Sequence, residues 1–274
     1  MVLEIKASIE SLKKVLCDDE RFYQIPDYQR PYSWDKDNVS DLISDLVTSY
    51  INNIEENYFC GSLVLVQGDK GRLDIIDGQQ RVTTFTILAC VIRDLYYDIL
   101  DEKQKDYIKL SIQDKYENTK RKLKFLTNDK YQLDFEETVL KKINFISNKN
   151  KYKKDFPKNR YVQNAHFIRD NIKENFVNFN IDVNKFVIWL YEKVVLTTIL
   201  CPNADSAIII LNVLNDRGMP LSPIDILKSS LMQRILNEED KNTFKVSWEA
   251  IITKLEFDDI AFEDMLNSYL YYKL

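Results

Sequence analysis

Residues 73–92 read LDIIDGQQRVTTFTILACVI. The first four residues are a short, mostly apolar run of strand character. After Gly78 the spacing changes: Val82, Phe85, Leu88, Ala89, Ile92, Leu95 and Tyr96 recur at the interval of one helical face. A strand therefore passes through DGQQ into a helix. Upstream, CGSLVLVQ and RLDII flank GDKG (68–71), whose glycines supply permissive turn positions, so the two runs form a hairpin. Physics alone gives this junction two readings. In one, Asp77 caps a helix, Gly78 makes the turn and Arg81 forms a surface ion pair. In the other, free amides at the helix start face an anion, Arg81 adds bidentate contacts and Asp77 fixes that arginine or a nucleotide-held metal. Gln79 and Gln80 offer both donors and acceptors, and Thr83 and Thr84 can cap or donate. There is no GxxxxGK[ST] loop, which excludes a standard P-loop.

Working outward, Ile5, Ile9, Leu12, Val15 and Leu16 fall at helical spacing and predict a first helix. FYQIPDYQRPYSW follows, where Pro26 and Pro31 enforce extended or turn geometry around Tyr28, Gln29 and Arg30. Arg30 can meet the same anion, with Tyr28, Tyr32 or Trp34 stacking on a base; the alternative is plain aromatic packing. Val39, Leu42, Ile43, Leu46, Val47, Tyr50, Ile51 and Ile54 trace a long amphipathic helix. Phe167, Ile168, Ile172 and Phe176, then Phe186, Val187 and Leu190, predict two helices, and VVLTTILC (194–201) a strand. Asp205 or Ser206 is placed to cap a helix running to NDRG (215–218), with Gly218 as its stop. Ser222, Pro223 and Asp225 open another helix, in which Asp225 and Lys228 share a face. A last helical segment runs towards Tyr272.

Composition limits the function classes. The net charge is -5, yet residues 101–160 hold 17 Lys/Arg against 10 Asp/Glu. The basic patch NKNKYKKDFPKNR, with Lys149, Lys151, Lys153, Lys154, Lys158 and Arg160, is a DNA-contact candidate or a solvated loop. Cys17, Cys60, Cys90 and Cys201 lie far apart, and His166 is the single histidine. That excludes a zinc cluster and a paired-histidine nuclease, and fits free thiols in a reducing compartment. A carboxylate set such as Asp37, Asp41 and Asp74 for a metal-dependent nuclease has only acidity behind it. MVLEIKASIESL lacks the apolar core of a signal peptide, and no apolar run reaches about 18 residues, so a cytoplasmic protein without a membrane span is expected.

Four stretches then carry a resemblance. FYQIPDYQRPYSW, YFCGSLVLV, DIIDGQQRVTTFTIL and LNVLNDRGMPLSPIDILKS, in that order from Phe22 to Ser229, resemble the DUF262 family of DGQQR proteins related to the GmrSD type IV restriction enzymes. The resemblance implies an α+β fold: a ParB/sulfiredoxin-like α/β domain with a small mixed sheet (1–100), then a largely helical region (101–274) carrying NDRG. It implies a module that binds and hydrolyses a nucleoside triphosphate, with Mg2+ as its companion, in phage defence by restriction of modified DNA. Asp77, Gly78, Gln79, Gln80 and Arg81 match DGQQR. Tyr28, Gln29 and Arg30 match the upstream YQR element. Asn215, Asp216, Arg217 and Gly218 match NDRG, with Asp225 and Lys228 in the next helix. The nuclease partner of such modules, often a C-terminal HNH domain, has no counterpart in these residues, which leaves a separate subunit, further sequence, or a member without a nuclease. A homo-oligomer and a catalysis-free sensor of DNA or a partner remain alternatives.

Overall fold

Strand β4 (Leu73–Asp77) hands the chain through Gly78 directly to helix α3 (Gln79–Tyr96), as the change of periodicity predicts. The computed structural model describes residues 4–26, 29–68, 71–117, 120–126, 135–141, 159–215 and 237–257, with short pieces at 227–228, 231–232, 234–235, 264–265 and 268. Contacts divide the chain into two units. One comprises Met1–Asp27 and Pro31–Ile208, the other Tyr28–Arg30 and Ile209–Leu274.

The first unit holds a six-stranded mixed sheet. Its strands are β1 (Lys6–Ser11), β2 (Tyr23–Ile25), β3 (Tyr58–Gln67), β4, β5 (Leu123–Phe125) and β6 (Val194–Cys201), arranged in the order β1-β6-β3-β4-β2-β5. β3 and β4 form the expected antiparallel hairpin, closed by Gly68 N donating to Arg72 O at 2.8 Å. β6 pairs parallel to β3 and antiparallel to β1, while β2 pairs parallel to both β4 and β5. The sheet thus draws strands from both sides of residue 100, and the boundary expected there does not divide it.

The other helices of this unit are α1 (Leu12–Cys17), α2 (Lys36–Asn52), α4 (Glu102–Ile112), α5 (Arg160–Asn178) and α6 (Val183–Lys193), with a six-residue π turn at Phe135–Leu140. α2 starts where Asp35 accepts from the amides of Asp37 and Asn38 while the Asn38 side chain returns to the Asp35 amide. That reciprocal cap satisfies amides the helix cannot satisfy itself. Its buried stripe, Val39, Leu42, Ile43, Leu46 and Val47, is the one the sequence predicts.

α3 is the central element: every residue from Val82 to Ile92 is buried. Its threonines are tolerated there because Thr84 Oγ1 and Thr86 Oγ1 donate back to the carbonyls of Gln80 and Val82, at 2.8 and 2.9 Å. Two expectations are corrected. The first predicted helix is split: Lys6–Ser11 is an edge strand on β6, and Ser11 caps the shorter α1 by accepting from Lys14 N. Ile9, counted towards a buried helical stripe, is 72% exposed. Pairing with β6 outweighs a helical pattern built on so few residues. In helix α7 (Ala204–Asn215), Asn203 is the residue that accepts from Ser206 N, at 2.9 Å, rather than Asp205 or Ser206 acting as cap. Beyond it, α8 (Glu238–Phe257) supplies the last helical segment. Ser222, Pro223 and Asp225, which open the next expected helix, lie outside the described residues, while Leu227, Lys228, Leu231, Met232 and Arg234 further along it are helical.

Candidate functional site

The junction is built on a left-handed glycine. Gly78 has φ +91° and precedes α3 with no side-chain cap, so the first amides of an 18-residue helix lack capping side chains. A Cβ at Gly78 would stand 3.0 Å from Leu63 Cδ1 and 3.0 Å from Ser62 O. Glycine is therefore required both by the backbone angle and by the close approach of β3.

Arg81 reaches back to β3, and its Nη1 donates to Ser62 O at 2.6 Å. β3 accommodates it through a register irregularity between Phe59 and Ser62, centred on Gly61 at φ +87°. A Cβ on Gly61 would lie 3.0 Å from the guanidinium carbon, so the missing side chain makes the arginine's berth. The remaining N–H groups of Arg81 make no hydrogen bond among the described residues. Ser62 Oγ donates to Asp77 Oδ2 at 3.3 Å, tying the motif's aspartate to the same strand. Gly61 and Ser62 belong to the site although they were not singled out from the sequence. The signal was present, since an isolated glycine inside an apolar strand marks a bulge or a close approach.

Gln80 points the other way. Its Oε1 accepts from Ser33 N at 2.9 Å and Trp34 N at 3.2 Å, and its Nε2 donates to Pro31 O at 3.2 Å. The amide thereby mimics a backbone partner for the extended Pro31–Trp34 segment. Tyr32 OH meets Thr84 Oγ1 at 2.8 Å, and Asn164 Nδ2 of α5 donates to Tyr32 OH and to Trp34 O at 3.0 and 2.8 Å. Burial pushes the Tyr32 hydroxyl up to about 12, despite these contacts. Tyr32 stacks on Tyr161 at 5.1 Å, so it packs in the core rather than standing ready for a base. Gln80 and Thr84 are thus engaged within the chain.

Gln79 and Thr83 differ from them. Both are buried, at 7% and 0% exposure, and Gln79 Oε1 and Thr83 Oγ1 have no hydrogen-bond partner among the described residues. They lie one turn apart on α3, which places both on one face. Buried polar atoms are nearly always satisfied, so two orphans side by side at a helix N-terminus mark an unfilled requirement.

Gln29 is half-buried and Arg30 exposed, both in the second unit, where Lys228 is buried. Asn215 ends α7. Tyr28, Asp216, Arg217, Gly218, Asp225, Lys149, Lys151, Lys153, Lys154 and Lys158 lie outside the described residues. Arg160 is the first residue of α5 and half-buried, and His166 is buried on the same helix. Among the described residues no three His, Cys, Asp or Glu side chains gather as metal ligands. Asp37, Asp41 and Asp74 are accordingly not brought together, and Asp74 accepts from Gln24 Nε2 at 2.6 Å. All four cysteines are free; burial raises Cys17 and Cys90 to about 12 and Cys60 to about 11, which leaves them inert thiols. Among the described residues no helix is long and apolar enough to cross a membrane.

A mixed α/β domain whose left-handed glycine delivers a strand into a buried helix, with arginine and glutamine splayed to opposite sides, defines a class. The chain belongs to one family within it, that of the GmrSD restriction endonuclease N-terminal domain, whose profile matches residues 12–232. It is therefore a restriction-system protein, and the family assignment agrees with the resemblance read from the four motifs. No curated protein matches the chain closely enough to count as a relative.

Proposed function

We propose that this domain binds and hydrolyses a nucleoside triphosphate at the N-terminus of α3, as the nucleotide-dependent module of a system that restricts modified DNA. The observation that carries the reading is the uncapped start of α3 with Arg81 in its first turn, held by Ser62 O through one N–H while its other N–H groups meet no acceptor among the described residues. Phosphate oxygens suit the α3 amides and the N–H groups of Arg81 that meet no acceptor among the described residues. Charge growing on a phosphoryl oxygen would be stabilised by donors already fixed in place, since Ser62 holds the guanidinium and Gly61 makes room for it. Asp77, restrained by Ser62, is placed to orient water or a magnesium ion. With no three-ligand cluster among the described residues, such an ion would be held chiefly by the nucleotide's own phosphates. Gln80 and Thr84 act as positioning residues through Pro31–Trp34. The ParB/sulfiredoxin-like assignment, a cytoplasmic location, a DNA target and a nuclease on another domain or subunit belong to the same reading.

The test is phosphate release from ATP, GTP, CTP and UTP, with equilibrium binding measured in parallel. Wild type should turn over at least one of them, and Arg81→Ala should lower the rate about 100-fold or more, the loss typical of one transition-state donor. Arg81→Lys, assayed well below its unfolding temperature, separates lost charge from lost packing. Absence of both binding and release in wild type sinks the proposal. Binding without release would favour the sensor reading.

A further inference from the structure

Strand β1 (Lys6–Ser11) ends the sheet, with β6 on its inner side and no strand among the described residues on its outer side. An edge strand keeps a row of N–H and C=O groups that point away from the sheet, ready to pair with another chain. Among the described residues no turn or loop takes up the backbone groups of Lys6–Glu10. The strand is also open to solvent. Lys6, Ala7, Ser8 and Ile9 are all exposed, and the preceding Ile5 is 48% exposed. Ile5, Ala7 and Ile9 alternate with Lys6, Ser8 and Glu10, so the apolar side chains share one face and the polar ones the other.

A lysine on an edge strand ordinarily blunts it against further pairing. On β1 the lysine is instead matched by an acid placed symmetrically about Ser8. When two copies of β1 pair antiparallel about a two-fold axis through Ser8, Lys6 stands opposite Glu10 of the partner subunit, and the symmetry makes that contact twice. Lys6 makes no ion pair among the described residues. Arg21 Nη2 donates to Glu10 Oε1 at 2.9 Å, which fixes the carboxylate on the strand, and a carboxylate has lone pairs for a second cation. On the other face Ile9 lies opposite Ala7 of the partner subunit, with the two Ile9 side chains diagonal and within reach of each other. Neighbouring registers lose this match. An axis through Ile9 puts Lys6 against Leu12, and one through Ala7 puts Glu10 against Glu4. The pattern is therefore complementary to itself in one register.

We infer that β1 is a self-association edge, to which a second copy of this chain adds its own β1, antiparallel about Ser8, joining the two sheets into one. The contact is short, so the dimer is weak and depends on concentration. It does not rely on nucleotide chemistry at the α3 junction. Sedimentation equilibrium of the full chain, from micromolar to submillimolar concentration, should show a monomer passing into a dimer. Lys6→Glu should weaken that association about 5- to 30-fold, because two attractive cross-strand pairs become repulsive. Ser8→Cys should yield a covalent dimer under mild oxidation, since directly opposed residues lie about 4.5–5.5 Å apart between Cα atoms, within disulfide reach. Ile9→Cys, off the axis, should cross-link far less, and wild type should not. Melting curves establish that each variant is folded. A wild-type chain that stays monomeric throughout the range overturns the inference and leaves β1 a blunted edge or one that receives a different protein. Cross-linking through Ile9→Cys but not Ser8→Cys, or a dimer indifferent to Lys6→Glu, overturns the register and with it the charge match that selects a second copy.

Discussion

Gly78 and Gly71 both have left-handed backbones, at φ +91° and +74°, but a Cβ would meet β3 at the first and nothing within 4 Å at the second. Substitution separates the two causes. Gly71→Ala bears only the cost of a left-handed L-residue, about 1 kcal/mol. Gly78→Ala adds the displacement of Leu63 and of the Ser62 carbonyl that holds Arg81, for about 2–4 kcal/mol in all. Urea unfolding of the two variants should show that gap, and equal losses would mean that the approach of β3 to the junction is not a constraint. Because Ser62 O is also the arginine's acceptor, Gly78→Ala should weaken triphosphate binding where Gly71→Ala does not. The same comparison explains why Gly78 carries more information than its neighbours in DGQQR. Asp77 and Arg81, on either side of it, both engage Ser62 of β3, while Gln80 engages Pro31–Trp34.

At the scale of elements, a buried cation stands at the start of β5, where that strand pairs with β2. Lys122, just before β5, is 2% exposed, sits 4.9 Å over the Phe22 ring, and its ammonium donates to Asp18 O at the end of α1. Burial brings its pKa down to about 8, although Cys17, Asp18, Asp19 and Asp114 pull the other way. The folded value lies below the ordinary 10.5, so the unfolded chain binds more protons between the two. Stability from this group is therefore lowest below pH 8 and rises towards pH 10.5, with a slope under about 1.4 kcal/mol per pH unit. Buried thiols and tyrosines titrate in the opposite sense, so the quantity to measure is the difference between wild type and Lys122→Met. Wild type should gain on the variant across that window, and a flat difference would show that Lys122 is not buried as an ammonium. Nothing in the sequence singled out Lys122, because burial of a lysine depends on what α1 and β2 bring over it. The elements that were legible, β3, β4, α2, α3 and β6, each carry a long period or a β-branched run. β1 and β5 were not, since three to six residues of mixed polarity take their state from a pairing partner. In the site, the glycine and arginine were legible as chemistry. The bulge at Gly61 and the engagement of Gln80 with Pro31–Trp34 depend on strands and loops 19 and 47 residues away.

For the whole molecule, charge is segregated along the chain, with residues 101–160 basic and the rest acidic. Membership of a restriction-enzyme family gives that segregation a proposed target, the phosphate backbone of DNA. Lys149, Lys151, Lys153, Lys154 and Lys158 supply a large part of the basic excess and stand in one short stretch. Counterion release makes the idea quantitative: each lysine that meets a phosphate of duplex DNA adds about 0.9 to the slope of log affinity against log salt. Replacing all five by glutamine should flatten that slope by as much as about 4.5 and lower affinity equally for modified and unmodified DNA, because phosphate contacts carry no sequence information. Discrimination between the two DNAs should survive, since it would belong to other surfaces. An unchanged slope would remove this stretch from the DNA interface. A lost preference with an unchanged slope would instead give these lysines a role in recognising the modification. Phosphate release measured on the same variant keeps the two functions apart: lysines that only hold DNA should leave basal turnover at the α3 junction as it is in wild type.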